Sequence, residues 1–252
     1  MSSYASILQI YAAGLVFARV GAVVMLIPGL GDAAVPPRIR LSFALLLSMV
    51  IAPLAARGIT VVPATVSGMA GDVLHELLIG LLIGAILRLF SAVLAIAGEV
   101  ISIQTTLSFA QTANPSFGQS GGSTLATFLN LVGVTLVMTT DLHHMFIGAI
   151  AHSYSIFPFG HPLPVTDAAT LAVKTMSDTF ALGIQLAGPV IVFSMVFNIA
   201  AGLIGRVMPQ FQIFFAATPL SVILGLSIFA LSLGAIGMVW TSRYRDLLSV
   251  FS

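Results

Sequence analysis

Residues 98–123 read GEVISIQTTLSFAQTANPSFGQSGGS, a tract rich in Gly, Ser, Thr and Gln in the middle of a chain that otherwise reads as membrane helix. That contrast decides the fold. In hydrocarbon an unsatisfied backbone N–H or C=O costs several kcal/mol, so irregular chain at such a place lies between protein surfaces or lines a wet cavity. The tract therefore predicts a membrane-type helical protein with a pore or a gate near its centre.

Composition agrees with the apolar flanks. Charged residues make up 7% of the chain and hydrophobic residues 58%, with a mean hydropathy of +1.12, outside the range of a soluble domain of this size. Nine basic and eight acidic side chains give a net charge of +1 and are spread thinly, so the chain offers no basic stripe for nucleic acid and no acidic tail. With no cysteine, disulfides, thiolate metal sites and cysteine nucleophiles are excluded together. No Lys or Arg precedes Arg19, so the N-terminus lacks the basic start of a cleavable signal, and the first apolar segment is expected to stay in the mature protein.

Six apolar segments can be drawn, roughly 7–30, 41–56, 77–98, 125–151, 180–205 and 211–240. A span needs about 20 apolar residues. The second segment is short by that standard, and the fourth is interrupted by Asp141, His143 and His144. Loop charges do not orient the bundle: Arg38, Arg40 and Arg206 fall on one side, Arg57, Lys174, Arg243 and Arg245 on the other. Helices packed inside a larger assembly would give the same failure.

Punctuation predicts helical hairpins. Pro28, Gly29, Gly31, Pro36 and Pro37 break the chain after the first segment, and Arg206-Val-Met-Pro209 breaks it before the last, with Arg206 placed favourably near a helix C-terminus. Pro189 and Pro219 lie inside apolar segments and predict kinks. Residues 152–179, with Pro158, Pro162 and Pro164, read as the longest aqueous excursion, a loop to about Val165 and then a short amphipathic helix.

Catalysis has little to stand on, and no catalytic, cofactor-binding or metal residues are assigned. The five histidines show no zincin-like spacing, and no Walker A loop or nucleotide-binding glycine fingerprint is present. Asp141 with His143, His144 and His152 is the one set with metal-ligand chemistry, set against a polar helix end or a subunit contact. Arg88 precedes Glu99 by eleven residues, which returns to nearly the same helix face, so both can border one polar seam. Arg19 is the only charge in the first segment, and Gln104, Gln185 and Asn198 add hydrogen-bonding groups. Intramembrane charges mark a proton path or a pairing. Arg88 and Glu99 are too far apart to pair directly, and contacts to neighbouring subunits or an aqueous interior are the stronger reading, because a relay wants several titratable groups in sequence and only Glu99 is well placed.

Gly80 and Gly84 form a Gly-x-x-x-Gly pair that lets helix backbones approach closely without choosing a partner. In the central tract Phe109 and Phe117 flank Asn114-Pro115, followed by Gly118, Gly121 and Gly122. That is a bent, hinged loop carrying two aromatic plugs, and a hydrophobic constriction can shut a pore to ions. An ordinary helix connection is the plainer alternative, weakened by the length of the tract.

Several segments together resemble the FliR/SctT family of type III protein export. They are Arg19 with Pro28-Gly-Leu-Gly31 and Val35-Pro-Pro-Arg-Ile-Arg40, then Gly98-Glu99 with Gln104, Leu107-Ser-Phe-Ala110 and Asn114-Pro115, and His143 followed by Phe157-Pro158. The densest block is Asn198-Ile-Ala-Ala-Gly-Leu-Ile-Gly-Arg206, Met208-Pro-Gln210, Phe214 through Pro219 and Gly225. Pro209-Gln-Phe-Gln-Ile-Phe-Phe215, and Pro219-Leu without a following lysine, favour the flagellar branch over the injectisome one.

The resemblance implies an all-α, polytopic fold of helical hairpins with kinked helices, assembling with partner subunits into a helical export-gate ring in the bacterial inner membrane at the flagellar basal body. It implies one FliR-like domain over 1–252, with helical parts at about 1–97 and 124–252 around a plug-loop region at about 98–123. Implied partners are FliP-like and FliQ-like subunits, with FlhB-like and FlhA-like export proteins, and the cargo is unfolded protein. The family's helices tilt and partly stand above the bilayer, which would account for the failed charge count. The family's plug loop maps onto Ser108 to Gly122, making Phe109, Ala110, Asn114, Pro115 and Phe117 the closure residues. Arg38, Arg206, Pro209 and Gln210 become assembly positions beside the polar seam of Arg19, Arg88, Glu99 and Gln104. The chain departs from the family in two places: Asn114-Pro115 stands where Asp-Pro is usual, and Asp141-Leu142-His143 where Asn-Gly-His is common. An injectisome homologue and a stand-alone secondary transporter are the alternatives. The transporter predicts paired broken helices in two related halves, and the sequence shows no such repeat.

Overall fold

The computed structural model describes residues 7–32, 34–55, 59, 62–108, 123–161, 165–208 and 213–249. Seven helices carry these residues: α1 (Ile7–Leu26), α2 (Pro37–Ala55), α3 (Val66–Gln104), α4 (Thr124–Thr139), α5 (Leu142–Ile156), α6 (Val165–Val207) and α7 (Ile213–Leu248). No strand occurs among the described residues. The all-helical expectation therefore holds.

α1, α2, α3, α6 and residues Ala217–Leu248 of α7 are each long and apolar enough to cross a membrane, and α4 with α5 adds a sixth if the pair counts as one broken span. The short second segment is a full helix of 19 residues because Pro37 opens it. Proline is suited to a first helical turn, where its missing N–H has no partner to lose. The interruption expected near Asp141 is real: Thr140 ends α4, and Asp141, at φ 59°, starts α5. Aspartate is among the few non-glycine residues that adopt this left-handed conformation readily.

The expectation for residues 152–179 is corrected. α5 runs on to Ile156, and from Val165 the chain enters α6, a helix of 43 residues, not a short one. The period-3.6 burial of Ala168, Thr175 and Thr179 shows why: that stretch has an inward face and continues the helix. α3 likewise begins at Val66 and takes in Asp72, His75 and Glu76, polar residues that read as the outside of a span. At 1.5 Å per residue, α3 and α6 reach about 60 Å, twice the roughly 30 Å hydrocarbon thickness of a bilayer. Helices of that length stand well outside a membrane that they cross. α6 continues through Pro189 and α7 through Pro219.

The chain divides into two compact units interleaved along the sequence, one of residues 1–90, 141–175 and 245–252, the other of residues 91–140 and 176–244. In the first unit, α1 packs on α2 and also lies against α3, where the Gly80/Gly84 pair finds its partner. A Cβ at Gly80 would collide with the Arg19 carbonyl and with Ala22 Cβ, and one at Gly84 would come within 2.8 Å of Leu26 Cβ. Two small apolar clusters complete this unit, Ala12, Leu15 and Ile59 under Phe159, and Ile86 with Ala149 under Leu82, Leu171 and Leu247. The second unit packs by the same device. A Cβ at Gly98 would fall 2.5 Å from Ala126 Cα, at Gly183 2.8 Å from Ile96, and at Gly133 2.7 Å from Leu94, beside the buried Trp240.

Candidate functional site

Two polar arrangements stand out from the apolar bundle, one in each unit.

The first is built on Arg19. Its side chain is 0% exposed, in the middle of α1, and the Glu76 carboxylate lies against it with Nε–Oε2 at 2.6 Å and Nη2–Oε1 at 3.1 Å. Nη1 donates to the Ser153 carbonyl at 3.1 Å and to Ser153 Oγ at 3.3 Å, and Nη2 donates to the Phe157 carbonyl at 2.9 Å. A guanidinium has five N–H donors. These bonds supply an acceptor for each. The two carbonyls belong to the last turn of α5 and the residue that follows it, at the negative end of the helix dipole, and the Ser153 carbonyl also accepts from the Phe157 N–H at 2.8 Å. Arg19 thus neutralises Glu76 and caps α5 together. The Tyr154 ring lies 4.1 Å and the Phe159 ring 5.5 Å from the guanidinium carbon, adding a cation–π cage. One turn earlier on α3, Asp72 Oδ2 accepts from the Tyr11 hydroxyl. His75 Nδ1 is 3.8 Å from Glu76 Oε1, and its buried Nε2 has no hydrogen-bond partner. Because Arg19 has no hydrogen left to give, the geometry makes it a pivot joining α1, α3 and α5, not a ligand-binding cation.

The second arrangement frames the central tract. α3 ends at Gln104, Thr105 Oγ1 closes the last turn onto the Ile101 carbonyl, and Thr106 follows at φ 60°, unusual for a β-branched residue. Gln104 Oε1 accepts from Ser194 Oγ of α6 at 2.7 Å, and the Thr105 methyl lies against Gly225 of α7, where a Cβ would overlap it. At the far end of the tract Ser123 is the N-cap of α4, its side chain accepting from the Ala126 N–H at 3.2 Å. Glu99 Oε2 in turn accepts from the Ser123 N–H at 3.1 Å. The two ends of the tract are tied by one carboxylate.

Of the residues singled out in the sequence, Arg19 is in the first arrangement, and Glu99 and Gln104 are in the second. Arg88 lies exposed on α3. Arg38 and Arg206 are also exposed, at the first turn of α2 and the last turn of α6. Arg40 holds the α1–α2 turn, its Nε donating to the Val35 carbonyl at 3.1 Å. Phe109, Ala110, Asn114, Pro115, Phe117, Pro209 and Gln210 lie outside the described residues. Glu76 falls just outside the third apolar segment, which begins at residue 77, so hydropathy does not mark it. A signal was present: a lone arginine in one apolar helix calls for an acid in another. Asp141, His143 and His144 do gather their ligand atoms within 4.8 Å, with His144 Nδ1 at 3.5 Å from Asp141 Oδ1. They occupy the positive end of the α5 dipole, which disfavours a cation.

Long apolar helices and close glycine-mediated packing define an all-helical protein of the polytopic membrane type. The model of the bacterial export proteins, family 1, matches residues 10–247. Flagellar biosynthetic protein FliR of Caulobacter vibrioides is 60% identical over the whole of both chains. The FliR of Escherichia coli K12 is 31% identical over 84% of this chain and 80% of its own, and that of Aquifex aeolicus 30% identical over 89% and 86%. The chain belongs to the bacterial export proteins of family 1, the FliR/SctT family, and these relatives carry the flagellar name.

Proposed function

We propose that this chain is a non-enzymatic core subunit of the flagellar type III protein export gate in the bacterial inner membrane. With FliP-like and FliQ-like subunits it forms the channel through which unfolded flagellar proteins leave the cytoplasm, and FlhB-like and FlhA-like proteins act beside it. No cofactor is required. The observation that carries the reading is full-length similarity at 60% identity to a flagellar biosynthetic protein.

Physical features support the channel role. The outer faces of α2, α6 and α7 are apolar, with Met49 66%, Val50 68%, Val196 64% and Leu231 86% exposed. Surface of that kind calls for lipid or neighbouring subunits. The tract at 98–123 begins and ends on one packed frame, so a closure element carried on it has a fixed base. Phe109 and Phe117 are the plugs of this reading. Replacing both with alanine opens a hydrophobic constriction. The expected result is ion leakage through assembled gates in cells that still insert the protein; a double variant as tight as wild type removes the plug role from these residues.

A further inference from the structure

Glu99 is exposed on α3, yet its carboxylate is aimed at a backbone donor of another helix. The α4 N-terminus explains why. In a capping box, the N-cap hydroxyl accepts from the N–H three residues on, and a Glu or Gln at that third position reaches back to the N-cap N–H. Ser123 makes the first bond, to Ala126. The reciprocal bond cannot come from Ala126, which has no side-chain acceptor. A larger residue there is opposed by the packing, since α3 meets the backbone of Ala126 so closely that Gly98 has no room for a Cβ. Glu99, the residue after that glycine, supplies the missing acceptor from the other helix at 3.1 Å. Gly98 and Glu99 thus work as a pair: the glycine brings the helices together and the glutamate completes the cap. A carboxylate also suits the positive end of α4.

We infer that Glu99 is a positioning residue of the channel. By capping α4 from α3 it fixes the point at which the chain re-enters helix after the central tract, and so holds the tract's two ends in register. Gln104 on Ser194 and Thr105 on Gly225 fasten the α3 side of the same base. Loss of the Glu99 bond lets the first turn of α4 fray and releases the far end of the tract. This inference rests on the proposed function for its consequence in the channel, and on geometry alone for the cap.

The test compares Glu99→Ala, Glu99→Asp, Glu99→Gln and a deletion of residues 110–120, each in the full chain within its native assembly. Hydrogen exchange of peptides covering residues 123–127 reads the cap, and ion leakage of the membrane reads the channel. Glu99→Ala and the shortened Glu99→Asp are expected to speed exchange by roughly tenfold, the factor carried by one hydrogen bond to a charged acceptor, and to raise leakage. Glu99→Gln keeps an acceptor at the same reach and is expected to stay within about threefold of wild type. Unchanged exchange in Glu99→Ala overturns the cap. Faster exchange without leakage, while the deletion leaks, overturns the role in positioning. A deletion that does not leak overturns the gate reading itself and leaves the cap to be judged by exchange.

Discussion

The two units hold polar groups in an apolar bundle in opposite ways. In the unit of residues 1–90, 141–175 and 245–252, the charge is deep: Arg19 and Glu76 are 0% and 1% exposed and meet through two hydrogen bonds. In the unit of residues 91–140 and 176–244, the interior around α3 is apolar and glycine-packed, and the polar ties are the exposed Glu99 and the part-buried Gln104 at the edge of the central tract. A buried pair is costly to break and tolerates no intermediate. An exposed tie costs little to open and close again. The first locks three helices of its unit together, and the second fastens one helix end by a single hydrogen bond.

The largest effect is therefore expected from breaking the buried pair on one side. Glu76→Ala leaves the Arg19 charge buried without its counter-ion and should cost about 3–5 kcal/mol, seen as a collapse in the amount of protein that survives detergent extraction. Replacing both partners with apolar residues of similar volume should recover much of that loss, because a desolvated pair gives little net stability over a packed apolar pair. A double variant no better than Glu76→Ala would assign the effect to the lost α5 cap and not to the stranded charge.

Glycine packing comes next. Gly98→Val forces α3 away from Ala126, and overpacking of this kind costs about 1–3 kcal/mol. Gly80→Val strikes the Arg19 carbonyl in the other unit and should cost as much or more, since it also disturbs the ion pair. Thermal unfolding in detergent orders the two variants, and equal losses would blur the contrast between the units. The smallest effect is expected at Thr106. Thr106→Gly relieves a left-handed β-branched residue and should change stability by no more than about 1 kcal/mol, in the stabilising direction, because glycine's own entropy offsets part of the relief. A clear loss there would mean that the Thr106 side chain holds the exit from α3.

The helical class was legible in the sequence because apolar runs of 20 residues admit few other structures. The break at Asp141 was legible too, from three polar residues in an apolar run. Helix ends were not: Asp72, His75 and Glu76 read as an aqueous boundary, whereas the helix carries them inward to meet Tyr11 and Arg19. Hydropathy reports average burial and is blind to a charge whose partner is on another helix. The same blindness explains Glu99, which the sequence marked as needing neighbours and which finds the Ser123 N–H within its own chain. Gly-x-x-x-Gly signals close packing correctly at Gly80 and Gly84, but the helix packed there, α1, is set by the fold and not by the motif.

The role proposed for the chain is that of one subunit of a gate. Its most direct test is mild-detergent purification of a tagged copy from its own cell, with mass spectrometry of what remains bound. The expected result is a large complex containing FliP-like and FliQ-like proteins. A stable, monodisperse particle made of this chain alone would contradict it.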